Sequence, residues 1–97
     1  MSKLALVVRL VAKPGKEEEV AAFLGSAGPL ATAEARTLTW YAFRISKTDF
    51  GVFDTFADDA GRDAHLGGPI AAALMAKASE LLAEPPRIEK ADVLAVK

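Results

Sequence analysis

The chain has 97 residues, enough for one domain and too few for two independent cores. At 52% hydrophobic and 26% charged residues, its composition excludes a disordered chain and describes a globular one. A formal charge of −1, with lysines scattered among acids, gives no electrostatic handle for nucleic acid, and the absence of cysteine excludes disulfides, thiolate catalysis and cysteine–zinc sites.

Residues 4–12, LALVVRLVA, alternate as a strand does. Leu4, Leu6, Val8 and Leu10 share one face, and Ala5, Val7, Arg9 and Val11 share the other. Arg9 and Lys13 break the apolar run, which is too short to span a membrane. Alternation followed by Pro14-Gly15 reads as a strand and turn rather than a signal-peptide core, so a cytoplasmic protein without a membrane partner is expected. KEEEVAAFLGSA, residues 16–27, predicts a helix. Its acids fall in the first turn, where they favour the dipole, and Val20, Phe23, Leu24 and Ala27 form an apolar stripe. Gly28-Pro29 is expected to end it, with LATAEA at 30–35 resuming at most a short turn.

TLTWYAFRI, residues 37–45, is rich in β-branched and aromatic residues and predicts the second strand. SKTD at 46–49 is a tight connection, and FGVFDTF at 50–56 returns as its hairpin partner. Asp58 or Asp59 caps a short helix running to Leu66, which Gly67-Gly68-Pro69 punctuates. IAAALMAKASELLA, residues 70–83, predicts a further helix with Ile70, Leu74, Ala78, Leu81 and Leu82 on one side, stopped by Pro85-Pro86. RIEKADVLAVK, residues 87–97, predicts the last strand, exposed at its charged start and buried at its apolar end.

The order β-α-β-β-α-β, with the second helical segment broken in two, specifies an α+β, ferredoxin-like single domain over residues 1–97. Helices then cover one face of a four-stranded antiparallel sheet. The other face should be polar in a monomer. Here both are apolar: Leu38 and Trp40 oppose Tyr41, Phe43 and Ile45, while Phe50, Val52 and Phe56 oppose Phe53. An open apolar face several strands wide exceeds what monomers carry, and a homodimer packed sheet to sheet is the expectation.

His65 is the one histidine. With an ordinary pKa of about 6.5, it is suited to removing a phenolic proton near neutrality. The alternative is that it closes the short helix and packs on the turn. Trp40 and Tyr41 point to opposite sheet faces, so only one can line a given pocket. Phe56 and Met75 complete the candidate pocket. The aromatic set Phe43, Phe50, Phe53 and Phe56 is either ordinary core or the wall of a flat apolar cavity. Arg44 and Arg62, as isolated residues, are expected to be solvated; in a functional reading they neutralise a phenolate or carboxylate. The acids of KEEE and FADD are accounted for by helix dipoles and capping. One histidine and no thiolate give no metal-ligand spacing, and Gly67-Gly68-Pro69 lacks the Lys/Ser pair of a phosphate loop, so neither metal nor cofactor is expected.

The ordered run TWYAFRISKTDFGVFDTFADDAGRDAHLGGPIAAALM, residues 39–75, joins an aromatic strand, a turn, a strand ending in F-x-x-F, an acidic helix start, a short helix ending in A-H-L and a second helix. In this combination the chain resembles the antibiotic-biosynthesis-monooxygenase family of the dimeric α/β-barrel superfamily, over nearly its whole length. The resemblance implies a protomer that dimerises through its sheet and keeps a ligand pocket between sheet and helices. Members of that family include cofactor-independent oxygenases of polycyclic phenols or quinols, and haem-degrading enzymes. His65 matches the A-H-L histidine, the proximal iron ligand of the haem-degrading relatives. Their tryptophan near the end of the third strand corresponds to Phe56, and their first-strand asparagine has no counterpart, since this chain has no asparagine. Residues 28–36 also depart from the family's short glycine-containing loop. The resemblance therefore points away from haem degradation. It implies a monooxygenase of small aromatic or quinol substrates, with His65 catalytic and Trp40 or Tyr41, Phe56 and Met75 around the ligand. The alternative is a noncatalytic ligand-binding or structural homodimer.

Overall fold

The computed structural model describes residues 1–97 as β1 (Leu4–Val11), α1 (Glu17–Ala33), β2 (Thr39–Arg44), β3 (Asp49–Phe56), α2 (Asp59–Leu66), α3 (Pro69–Leu81) and β4 (Arg87–Asp92). The strands form one antiparallel sheet in the order β2-β3-β1-β4. This is the ferredoxin-like arrangement that the order of elements specified. No helix is long and apolar enough to cross a membrane.

Register fixes the two faces. Leu6 stands opposite Asp54, Val8 opposite Val52 and Leu10 opposite Phe50, and β2 continues these rows with Trp40 beside Asp54 and Ala42 beside Val52. Directly paired residues point the same way. The side chains of these rows form the helix-covered face, where Leu10, Phe50, Val20, Leu24 and Leu81 make the main core.

The opposite face carries a row of Val7, Phe53 and Tyr41, followed by Arg9, Gly51 and Phe43. Val7, Tyr41 and Phe43 are exposed. Gly51 has no side chain because the Phe43 ring crosses it: a Cβ there would lie 2.5 Å from ring carbons. The edge is polar, with Glu89 and Arg87 of β4 flanking Val7 and Arg9.

Two elements differ from the sequence expectation. Helix α1 does not stop at Gly28-Pro29 but runs through Pro29 to Ala33. Its buried stripe Val20, Leu24, Ala27 and Ala31 keeps helical spacing across the proline, and Ala27 and Ala31 pack with Ile70 against Trp40. That burial outweighs the hydrogen bond proline removes. Strand β4 ends at Asp92, and Leu94 and Val96 beyond it are exposed rather than buried. β4 lies at the sheet edge with β1 as its one neighbour, so nothing continues the apolar end inward. Helix α3 starts with Pro69 at its first turn, where the missing N–H is no loss.

Candidate functional site

Helix α2 is short because both its ends are specified. The Asp58 carboxylate accepts from the Gly61 N–H at 2.8 Å, and Gly67-Gly68 followed by Pro69 closes it. Gly61, Arg62 and His65 fall on its buried side at helical spacing. This turns His65 inward, toward β3, rather than onto the turn that follows.

The His65 side chain is 8% exposed and sits between two carboxylates. Nδ1 lies 2.6 Å from Glu34 Oε1, a hydrogen bond between the end of α1 and the end of α2. Nε2 lies 2.9 Å from Asp54 Oδ2, at ion-pair distance. Glu34 Oε1 also accepts from the Thr37 hydroxyl at 2.8 Å. The Phe56 ring, fully buried, packs against the imidazole with centroids 5.5 Å apart. Burial alone would lower the pKa of His65. The Asp54 and Glu34 carboxylates outweigh it by hydrogen bonding and Coulomb attraction and raise the pKa from 6.5 to about 8. At neutral pH the ring is mostly an imidazolium.

His65 forms part of the wall of two spaces. Inside, beneath α2 and α3, it meets Trp40, Leu6, Ile70 and Leu74 around an apolar pocket of about 40 Å³. Outside, it meets Glu34, Arg36, Thr37 and Gly68 in a surface cleft of about 170 Å³. Trp40 is in turn the wall between the apolar pocket and an open groove of about 530 Å³ along Ala31, Thr37 and Thr39.

The residues singled out from the sequence are thus distributed. His65 and Trp40 share the apolar pocket, and Phe56 supports His65 from the core. Tyr41 lies on the opposite sheet face, and Met75 lies exposed on α3, outside that pocket. Arg62 corrects the expectation that it is solvated, whereas Arg44 is exposed as expected. Arg62 is buried, its Nη1 reaching the carbonyls of Ala5 and Ala91 at 3.3 Å. Arg44 stacks 4.9 Å over the Phe50 ring and pairs with Glu18. Glu34 and Asp54 were missed. Asp54 did carry a signal: it alternates with Phe50, Val52 and Phe56 on the core side of its strand, where an acid needs a partner.

The ligation of a haem iron, which the A-H-L resemblance raised, does not fit this arrangement. It needs a free imidazole nitrogen, and both nitrogens of His65 already face carboxylates. No group of three His, Cys, Asp or Glu side chains is placed to hold a metal ion.

No protein-family model matches the chain. No curated protein matches it either. Among solved structures, the NE2512 protein of unknown function from Nitrosomonas europaea is 61% identical, with a TM-score of 0.98 over 100% of this chain and 94% of its own. Rv0793 from Mycobacterium tuberculosis is 20% identical, with a TM-score of 0.86 over 98% of each chain. An antibiotic biosynthesis monooxygenase is 15% identical, with a TM-score of 0.82 over 95% of this chain and 99% of its own. These last two share the ferredoxin-like fold.

Proposed function

Because this chain belongs to the same family as the NE2512 protein of Nitrosomonas europaea, itself of unknown function, we infer its activity from its own site. The reading is a cofactor-independent monooxygenase of small phenols or quinols, working as a homodimer. The observation that carries it is His65, held in the wall of an apolar pocket with a carboxylate at each ring nitrogen. The fold it shares with an antibiotic biosynthesis monooxygenase is consistent with this reading and does not carry it.

With the Glu34 carboxylate displaced from Nδ1 into the outer cleft, neutral His65 removes a proton through that nitrogen from the bound phenol or from the ring CH₂ of its keto tautomer, and Asp54 stays behind the ring. The carboxylate behind the ring stabilises the imidazolium that results. The electron-rich anion gives its electrons to dioxygen and forms a C–O bond. Protonation by His65 yields a hydroperoxide, which loses water and leaves a carbonyl. One CH₂ and one O₂ thus become C=O and H₂O, and the proton returns to the product water. Trp40 and Phe56 supply apolar surroundings. Trp40 lines both the pocket and the groove of about 530 Å³, so a ring system would enter only if its side chain turned aside.

The dimer rests on the uncovered row Val7, Phe53 and Tyr41 with Phe43 beside it, an apolar surface that a second copy covers at least cost.

Oxygen uptake with dihydroxynaphthalene substrates tests the activity. The wild type should exceed autoxidation, and His65→Ala should lose about 100-fold or more. Equal rates remove His65 from the chemistry; no uptake above background removes the monooxygenase reading. A noncatalytic ligand-binding homodimer is the second reading. It is favoured by the small size of the pocket, at about 40 Å³ far below ordinary ligand cavities. Ligand binding without oxygen uptake distinguishes it.

A further inference from the structure

The two carboxylates on His65 are held differently. Asp54 is wholly buried in the middle of the apolar strand β3 and has no room to move. Glu34 caps the end of α1, where the chain leaves the helix, and its side chain lines the same outer cleft of about 170 Å³ that His65 lines. One carboxylate is fixed by the sheet, and the other stands beside open space.

Glu34 is also satisfied at one oxygen only. Oε1 accepts from His65 Nδ1 at 2.6 Å and from the Thr37 hydroxyl at 2.8 Å. Oε2 is buried without a partner and faces Gly68, where a Cβ would lie 3.3 Å from it. A buried carboxylate oxygen with no partner is costly, and the charged hydrogen bond to the imidazolium offsets a cost of the same order. Turning Glu34 into the cleft reverses both effects: Oε2 regains water and Oε1 loses the ring. The cleft also holds the Arg36 guanidinium, now paired with Asp58, as a second cation for the displaced carboxylate. The seated and released positions are therefore close in free energy, and the contact is reversible.

We propose that Glu34 is an autoinhibitory latch: seated on Nδ1 it withholds that nitrogen from ligands, and released into the outer cleft it frees the nitrogen to accept a proton. That the freed nitrogen does chemistry rests on the reading of His65 as proton acceptor; the latch itself does not. Asp54 keeps its place in both positions and orients the ring through Nε2.

Acylation of the one histidine by diethyl pyrocarbonate, read by mass spectrometry, tests the latch without any substrate. The reagent attacks a free, neutral ring nitrogen, so each rate is divided by the neutral fraction from that protein's own His65 titration. Glu34→Ala should then react at least about tenfold faster than the wild type, whose seated latch leaves a small open fraction. Thr37→Val removes the hydroxyl that holds Glu34 and keeps both members of the contact. It should react at least about twofold faster, with an unchanged circular dichroism spectrum. Equal corrected rates in the wild type and a folded Glu34→Ala overturn the proposal. If that variant does not fold, an unchanged rate in Thr37→Val overturns it. Oxygen uptake with dihydroxynaphthalene should rise in Glu34→Ala. Faster acylation with slower uptake overturns the autoinhibition, because Glu34 would then serve the reaction. Faster acylation with no uptake in any of the proteins supports the latch and contradicts the monooxygenase reading alone.

Discussion

Asp54, wholly buried in the middle of an apolar sheet face, lies 2.9 Å from the imidazole of His65. On the ring's other side Glu34 lies at 2.6 Å, so folding places a histidine between two acids that are distant in sequence. One consequence is a pH-dependent stability. The pKa of His65 is raised from 6.5 to about 8 in the folded chain, so the folded state holds its proton more tightly. The stabilisation, about 2 kcal/mol, is fully present below pH 6.5 and is lost as pH rises through about 8. Urea unfolding at pH 6 and pH 9 should show this loss in the wild type and not in His65→Ala. An equal pH dependence in both would contradict the pairing.

Removing Asp54 leaves the buried imidazolium with one carboxylate, Glu34, and opens a cavity in the core face beside it. Asp54→Ala should destabilise the chain by about 3 kcal/mol or more. Adding His65→Ala to it should change stability by less than His65→Ala does in the wild type. A double-mutant cycle measures this coupling, which should reach about 1 kcal/mol or more. Additive effects would mean that the two side chains do not support each other.

The uncovered sheet face makes a separate prediction. Phe43→Lys places a charge in the middle of the surface that a second copy is proposed to cover. Light scattering at micromolar concentration should give twice the 10.2 kDa chain mass for the wild type and one chain mass for the variant. Circular dichroism should be unchanged, because Phe43 is not part of the core. A wild type that runs as a single chain would remove the dimer.

Arg62 ties α2 to the sheet through the carbonyls of Ala5 on β1 and Ala91 on β4. Arg62→Ala should therefore destabilise by about 2 kcal/mol, as a buried group with charged hydrogen bonds does. A fully solvated arginine at the same position would lose less than about 0.5 kcal/mol. Thermal unfolding separates the two.

The order of elements was legible from alternation in β1 and β3, the Asp58 cap, and the proline that opens α3. Each is a local rule that packing did not override. Pro29 was read by the same kind of rule and misled, because the stripe through Ala27 and Ala31 buries the helix across it. Extending α1 to Ala33 is what carries Glu34 to the site, so misplacing that boundary also concealed His65's closest partner. Arg62 was hidden for a related reason. Nothing local shows that its guanidinium meets two strand carbonyls far away in the chain. Asp54 was different, since its place between Val52 and Phe56 already put an acid on the core face. The pairing of that acid with the one histidine was the part of the site most open to inference.

The sole histidine makes one measurement decisive. Nitrogen NMR of labelled His65, followed from pH 5 to pH 10 with and without naphthol, reads its protonation and its contact with a ligand directly. Titration near pH 8, with both ring nitrogens protonated below it and a shift on adding naphthol, is the result this account requires. Titration near pH 6.5, unmoved by naphthol, would contradict it.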